Sequence, residues 1–157
     1  MFSQTYRKSV AFALLVVLGV VSTLASQVAF ADEESMRIAK ALLEREMHAW
    51  NEEGRNDLSL LTSDVDIINA AGPHWHGRDT AGANGQQVLD TRRPKLSGSV
   101  VSAERLAPNV ILVISRGTAT MPEGAPGPRE FALHQMRVLM KVGDQWLIRA
   151  ITSTPIR

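Results

Sequence analysis

Four segments in the second half of the chain alternate between apolar and polar residues, and the short connections between them restrict the possible folds. These segments cover residues 100–106, 110–120, 130–142 and 146–156. Alternation with a period of two, in stretches rich in β-branched residues, is typical of β-strands. The connections are too short for the helical crossovers that parallel neighbours need. The sequence therefore predicts four antiparallel strands, with a loop marked by Pro94 and Gly98 before the first.

The segment before these strands has a helical period. Between residues 35 and 51, apolar side chains recur at intervals of three and four, which predicts an amphipathic helix with one buried stripe. Ser35 is suited to cap its start, and Gly54 is suited to stop it. The apolar residues of the stripe are Ile38, Ala39, Leu42, Leu43, Met47, Ala49 and Trp50.

Three shorter elements are predicted between this helix and the loop at Pro94. Residues 58–61 form a short second helix, residues 65–69 a strand, and residues 80–91 a weak third helix. The third is weak because Gly82 and Gly85 each cost about 1 kcal/mol relative to alanine. Helices first and strands after predict an α+β fold, with about three helices packed on one face of a bent antiparallel sheet.

The third long strand, residues 130–142, has two different faces. The more apolar face is predicted to lie under the helices, and the mixed face to meet water or a partner subunit. The face predicted to be interior carries Ala132, His134, Met136, Val138, Met140 and Val142. The mixed face carries Phe131, Leu133, Gln135, Arg137, Leu139 and Lys141.

The first 31 residues have the order of a secretory signal peptide. Arg7 and Lys8 precede an apolar run at residues 10–21, and Ala29-Phe30-Ala31 supplies small residues for cleavage after Ala31. A membrane anchor would need about 20 apolar residues, more than this run provides. The sequence therefore predicts a secreted or periplasmic domain at residues 32–157, without stable membrane insertion after cleavage.

Charge and cysteine content exclude some classes of protein. The chain has 17 lysines and arginines against 16 acids, and the leader holds two of the bases and none of the acids. The predicted mature domain thus has 15 bases and 16 acids, a net charge of −1, which does not favour nucleic-acid binding. Without cysteine, a disulfide and a lipidated N-terminal cysteine are both excluded.

Histidines offer two candidate sites. His134 lies on the strand face predicted to be interior, where a neutral imidazole could act as a base or donor, or simply bond to backbone. His74 and His76 would point to one side of an extended segment and could bind zinc or copper if Asp66 or His134 supplied a third ligand. Two ligands do not make a site, so we predict no metal and no cofactor, and interpret this segment as an exposed loop.

Several short motifs, taken in order, resemble those of the nuclear-transport-factor-two-like superfamily. Within it the chain looks most like the SgcJ/EcaC branch, close to the SnoaL-like polyketide cyclases. The motifs are Ala49-Trp50-Asn51 with Gly54, Trp75-His76-Gly77-Arg78, Leu106-Ala107-Pro108-Asn109-Val110, Lys141-Val142-Gly143-Asp144-Gln145-Trp146-Leu147-Ile148 and Thr154-Pro155.

This resemblance implies a cone-shaped fold, in which a strongly curved antiparallel sheet surrounds a pocket, and a homodimer formed through the outer face of the sheet. It does not imply one activity, since such folds include isomerases, cyclases, dehydratases and binding domains. The ketosteroid isomerase mechanism needs a carboxylate base with a tyrosine and a protonated aspartic acid. Here Asn69 falls near the position of the base, Met136 and Val138 near that of the acid, and the single tyrosine, Tyr6, lies in the leader.

Three functional hypotheses follow. The first is a domain that binds a small, largely apolar molecule. The second is an enzyme of the cyclase, isomerase or dehydratase kind, with His134 as base and Asn69 orienting the substrate. The third is a non-catalytic dimerisation or assembly module. The residues predicted to line the pocket are Trp50, Asn69, Trp75, His134, Met136 and Val138.

Overall fold

The computed structural model describes residues 33–156, which form one six-stranded sheet, two α-helices and a short 3-10 turn. The elements are α1 (residues 33–51), the 3-10 turn Leu58–Leu60, β1 (Leu61–Ile68), β2 (His74–His76), α2 (Arg78–Thr91), β3 (Lys95–Ala107), β4 (Val110–Thr120), β5 (Glu130–Val142) and β6 (Gln145–Pro155). The predicted signal peptide, residues 1–31, lies outside the described residues. None of the helices within residues 33–156 is long and apolar enough to span a membrane.

The sheet follows the order β2-β1-β6-β5-β4-β3. The last four strands form the predicted antiparallel meander, and β4 and β5 have the predicted bounds. The first strand, β1, pairs with the last, β6, in parallel, a contact that the alternation pattern does not predict. The α+β class and the curved sheet with helices on one face are confirmed.

The helices differ from the prediction in number and extent. Residues 33–51 are helical, so Ser35 lies inside α1, where it is fully buried, instead of capping the start. The predicted second helix is the 3-10 turn. The third, α2, is a regular helix of 14 residues, longer than predicted.

The two glycines that weaken α2 in isolation lie where it packs closely against residues 56–58. An added Cβ at Gly82 would stand 2.9 Å from Leu58, and one at Gly85 would stand 2.5 Å from the Asn56 amide nitrogen. Both glycines are buried. The helix therefore gains close packing against residues 56–58 at the positions where its own propensity is lowest.

The bounds of β1 and β3 also differ from the predicted ones. β1 begins at Leu61 and ends at Ile68, so Asn69 lies in the turn that follows and not in the strand. β3 begins at Lys95, so Gly98 lies within a strand and pairs directly with Gly117 of β4. An added Cβ at Gly117 would stand 2.7 Å from the carbonyl oxygen of Ser97. Glycine pairing of this kind marks a tight bend, because it lets two backbones approach closely.

The face of the sheet that packs under α1 is called here the inner face, and the opposite one the outer face. Three neighbouring strands contribute to the inner face, because Ile111 of β4 lies opposite Leu139 of β5, which lies opposite Ile148 of β6. All three are fully buried. The core continues with Ala39, Leu60, Leu61, Val65, Ala81, Ala103, Val113 and Ile151.

The prediction of which face of β5 lies under the helices is wrong. Arg137 and Leu139 are buried on the inner face, whereas His134 and Met136 are exposed on the outer one. Counting apolar residues misassigns this strand because both faces are partly apolar, and because a charged residue can be buried when a counter-ion accompanies it. Arg137 has such a partner, which is described below.

Two side chains join the end of α1 to the start of β3. The Asn51 amide donates to the carbonyl of Leu96 at 2.7 Å and accepts from its N–H at 2.8 Å, as a neighbouring strand would. The Trp50 indole N–H donates to the carbonyl of Pro94 at 2.8 Å. These bonds fix the helix across the sheet and set the space beneath it.

Candidate functional site

A small cavity lies between α1 and the inner face of β3, β4 and β5. Its volume is about 50 Å³. Leu43, Glu46 and Met47 of α1 form one side. The strands contribute Leu96, Ser97, Gly98, Ser115, Arg116, Gly117, Thr118, Leu133, Gln135 and Arg137. The hollow lies where Gly98 and Gly117 pair, so two positions of its wall carry no side chain.

A buried guanidinium group forms the polar end of this cavity. The side chain of Arg137 is 6% exposed and pairs with Glu46, with 2.9 Å between Arg137 Nη2 and Glu46 Oε2. Arg137 Nη1 donates to Ser115 Oγ at 2.6 Å, and Nη2 also donates to Gln135 Oε1 at 3.0 Å. Gln135 in turn donates to Ser153 Oγ at 3.0 Å. The network fixes the guanidinium from three sides.

The remaining nitrogen of this group has no hydrogen-bond partner in the described part of the chain. Arg137 Nε is buried and makes no hydrogen bond within residues 33–156. Guanidinium nitrogens are donors only, and a buried donor without an acceptor costs free energy. Arg137 thus keeps one buried N–H without an acceptor among the described residues, in addition to the network at the polar end of the cavity.

His134, Met136 and Val138 do not line this cavity. The register on β5 places them on the outer face, where His134 lies opposite Arg116, and Met136 opposite Ile114. His134 is exposed, and Met136 is 46% exposed. The role proposed for His134 depended on burial in the interior, so the structure gives that role no support.

The other three predicted residues also lie away from the cavity. Asn69 forms a turn, in which its Oδ1 accepts from the N–H of Ala71 at 2.9 Å. Trp75 is half-buried on the short edge strand β2, and Trp50 is half-buried and bonded to Pro94. Asn69 and Trp50 thus have structural partners, and Trp75 lies at the other end of the sheet from β3 and β4.

A second polar cluster lies on β1, β2 and β6. Asp66 Oδ1 contacts His74 Nε2 at 2.9 Å and His76 Nδ1 at 2.8 Å, and its Oδ2 accepts from Arg149 Nη1 at 2.7 Å. Hydrogen bonds from Arg149, His76 and His74 hold the pKa of Asp66 well below its usual range. Of the two residues considered as a third ligand beside these histidines, Asp66 is thus the one that lies close to both. Within the described residues, however, no group of three or more His, Cys, Asp or Glu side chains is arranged to hold a metal ion.

Sequence reasoning did not identify Arg137 and Glu46, although the position of each in its element could have indicated them. Glu46 stands three residues after Leu43 and four before Trp50, so it falls within the buried stripe of α1. Arg137 lies near the middle of a strand, directly between the apolar residues Met136 and Val138. An acid in a buried helix stripe and a base in the middle of a central strand together indicate a buried ion pair.

No protein-family model matches the sequence, and no curated protein sequence matches it. Solved structures do match. A domain of unknown function with a cystatin-like fold from Nostoc punctiforme is 22% identical, with a TM-score of 0.68 over 81% of this chain and 78% of that one. A ketosteroid isomerase-like protein from Erwinia carotovora atroseptica is 17% identical, with a TM-score of 0.67 over 79% and 98%.

An NTF-2 like protein of unknown function from Shewanella oneidensis is 18% identical, with a TM-score of 0.60 over 73% of this chain and 93% of that one. At such identities the likeness shows the fold and not the activity. The matched structures bear out the fold that the sequence motifs implied and do not show the SgcJ/EcaC branch. The described domain has the cone-shaped fold of the nuclear-transport-factor-two-like and cystatin-like proteins.

Proposed function

We propose that this domain binds a small molecule in the cavity beneath α1. The observation that carries the proposal is the cavity itself, which combines apolar walls with a polar end where Arg137 is held by Glu46 and Ser115. Ligand sites typically combine apolar walls with a few fixed polar groups, as this cavity does. Leu43, Met47 and Leu133 supply the apolar part.

Native mass spectrometry of the protein purified without denaturation tests this proposal. We expect a retained mass, and expect Met47→Trp to lose it because the larger side chain fills the cavity. Lys40→Trp places the same side chain on an exposed position of the same helix and should retain the mass. Absence of any retained mass, together with no chemical-shift response of cavity residues to a library of small compounds, would contradict small-molecule binding.

The two alternatives from the sequence have less support. An enzyme with His134 as base would need that imidazole beside the substrate, but it is exposed on the outer face. A purely structural module would fill its own interior, whereas a cavity of about 50 Å³ is left here between α1 and the sheet.

We also propose that two copies of the chain associate through the outer face. Met136 is 46% exposed there, and it lies opposite Ile114 in the register of an apolar surface that continues to Val138 and Leu112. Light scattering coupled to size exclusion should give a dimer, and Met136→Glu should give a monomer. Ala41→Glu, on the exposed side of α1, is the matched control and should leave the dimer intact. A monomeric wild-type protein would refute this proposal.

Finally, we propose that the chain is exported with cleavage after Ala31, on the strength of the sequence pattern of residues 1–31. Amino-terminal sequencing of the product recovered from the export compartment of an expressing cell should start at Asp32. A product that retains Met1 would contradict it.

A further inference from the structure

We infer that the cavity takes a short alkyl group at the end of a larger molecule, and excludes aromatic rings and polar head groups. This inference rests on the proposed small-molecule binding and names the chemistry of the group that is bound. It follows from three properties of the cavity: the side chains that a ligand would contact, the bonds that its polar residues already make, and its volume.

The side chains that a ligand would contact are mostly apolar. Four lining residues have large apolar side chains: Leu43, Met47, Leu96 and Leu133. Three others, Ser97, Arg116 and Thr118, also border the cavity. The register of β3 with β4 alternates them with the buried Ser115, so their side chains turn to the outer face. A bound group therefore meets mainly hydrocarbon.

The remaining polar side chains of the lining are already bonded within the chain. Arg137 Nη1 donates to Ser115 Oγ at 2.6 Å. Arg137 Nη2 donates to Glu46 at 2.9 Å and to Gln135 at 3.0 Å, and the Gln135 amide nitrogen donates to Ser153. Arg137 Nε has less than 1 Å² of accessible surface, so a ligand does not reach it. A polar ligand atom would thus lose its bonds to water without gaining an equivalent partner, which costs free energy.

The volume limits the bound group to a few carbon atoms. The cavity measures about 50 Å³. An apolar cavity engineered in another protein needs about 150 Å³ to hold benzene. A benzene ring therefore exceeds the space under α1, whereas a methyl or ethyl group fits it and gains dispersion contacts with the walls.

The rest of such a molecule would leave the cavity at the edge of the sheet. β3 is the last strand in the sheet order, so within the described residues no further strand covers that side. Gly98 of β3 lines the cavity and is exposed. The cavity therefore receives one alkyl end of the ligand, and the polar part stays in water beyond Gly98.

Dimethyl sulfide and ethanol test the preference for an apolar group. Both have the same number of non-hydrogen atoms, and only ethanol has a hydroxyl group. In heteronuclear NMR of the ¹⁵N-labelled protein, dimethyl sulfide should shift the amide resonances of Met47 and Gly117, with a dissociation constant in roughly the millimolar range. Ethanol should bind at least about fivefold more weakly, because its hydroxyl group loses hydrogen bonds to water on burial.

Benzene tests the limit on size. The wild-type protein should not bind it, whereas Leu133→Ala enlarges the cavity and should bind it. Leu147→Ala is the matched control, since Leu147 is also half-buried on the sheet but does not line the cavity, and it should not gain benzene binding. If Leu133→Ala does not fold, the comparison of the three compounds on the wild-type protein still decides the matter.

The outcomes separate the two proposals. Binding of ethanol as tightly as dimethyl sulfide, or of benzene to the wild-type protein, would overturn only the inference, because the cavity would still bind a small molecule. A folded Leu133→Ala variant that does not bind benzene would overturn the argument from volume. If none of the three compounds shifts the cavity resonances, the inference is overturned, and the retained mass then decides whether small-molecule binding stands.

Discussion

Replacing Arg137 by methionine should destabilise the domain by about 3 kcal/mol. Removing one member of a buried ion pair typically costs about 3–5 kcal/mol, because the other charge is left without a partner. The lower end applies, since the side chain of Glu46 is 25% exposed and regains some water when its partner is lost. Ser115 and Gln135 each lose a charged hydrogen-bond donor as well.

Urea denaturation followed by circular dichroism measures this loss. With a slope of about 1.5–2 kcal/mol per molar urea, a loss of about 3 kcal/mol lowers the midpoint by roughly 1.5–2 M. The double variant Arg137→Met with Glu46→Met should recover much of it, because both charges are removed together and apolar groups fill the space. A loss below about 1 kcal/mol in Arg137→Met, or no recovery in the double variant, would refute the reasoning that the pair is buried and coupled.

Three further predictions concern other contacts. Gly117→Ala should destabilise by about 1–3 kcal/mol, measured as a shift in thermal midpoint, because its Cβ would stand 2.7 Å from the Ser97 carbonyl; an unchanged midpoint would contradict the close approach. Asn51→Ala should cost about 2 kcal/mol in urea denaturation, because two hydrogen bonds to Leu96 are lost at once; a neutral result would show that water replaces them. Asp66→Asn should destabilise the domain at pH 7, because the lowered pKa of Asp66 in the folded state stabilises that state above the unfolded value near 3.8. This stabilisation is lost as the pH falls through the folded-state pKa, so the substitution should have no effect on stability in strong acid. A difference between Asp66→Asn and wild type that did not change from pH 7 to pH 2 would exclude this linkage.

The alternation of apolar residues was sufficient to predict the meander. Each of the last four strands is a single run with a period of two between turn residues, and the bounds of β4 and β5 follow from it. The parallel contact of β1 with β6 has no local signal, because it joins residues far apart in sequence. Helix α2 was underestimated for a related reason, since Gly82 is unfavourable locally and favourable only in contact with Leu58.

The site was harder to predict than the fold. Choosing the inner face of β5 by apolar content misassigned His134 and Met136, because the face that is buried includes Arg137 together with its counter-ion. A counter-ion on another element cannot be seen in the alternation of one strand. Glu46, the acid in the buried stripe of α1, indicates a buried ion pair only when it is considered together with Arg137.

The contact between β1 and β6 has a consequence for how the chain acquires its structure. During synthesis β1 emerges long before its parallel neighbour, so the sheet cannot close until the last strand is available. Until then β1 and β5 each expose an unpaired edge, and edges of this kind attract chaperones or other strands. Truncation before Gln145 should thus yield an aggregation-prone product.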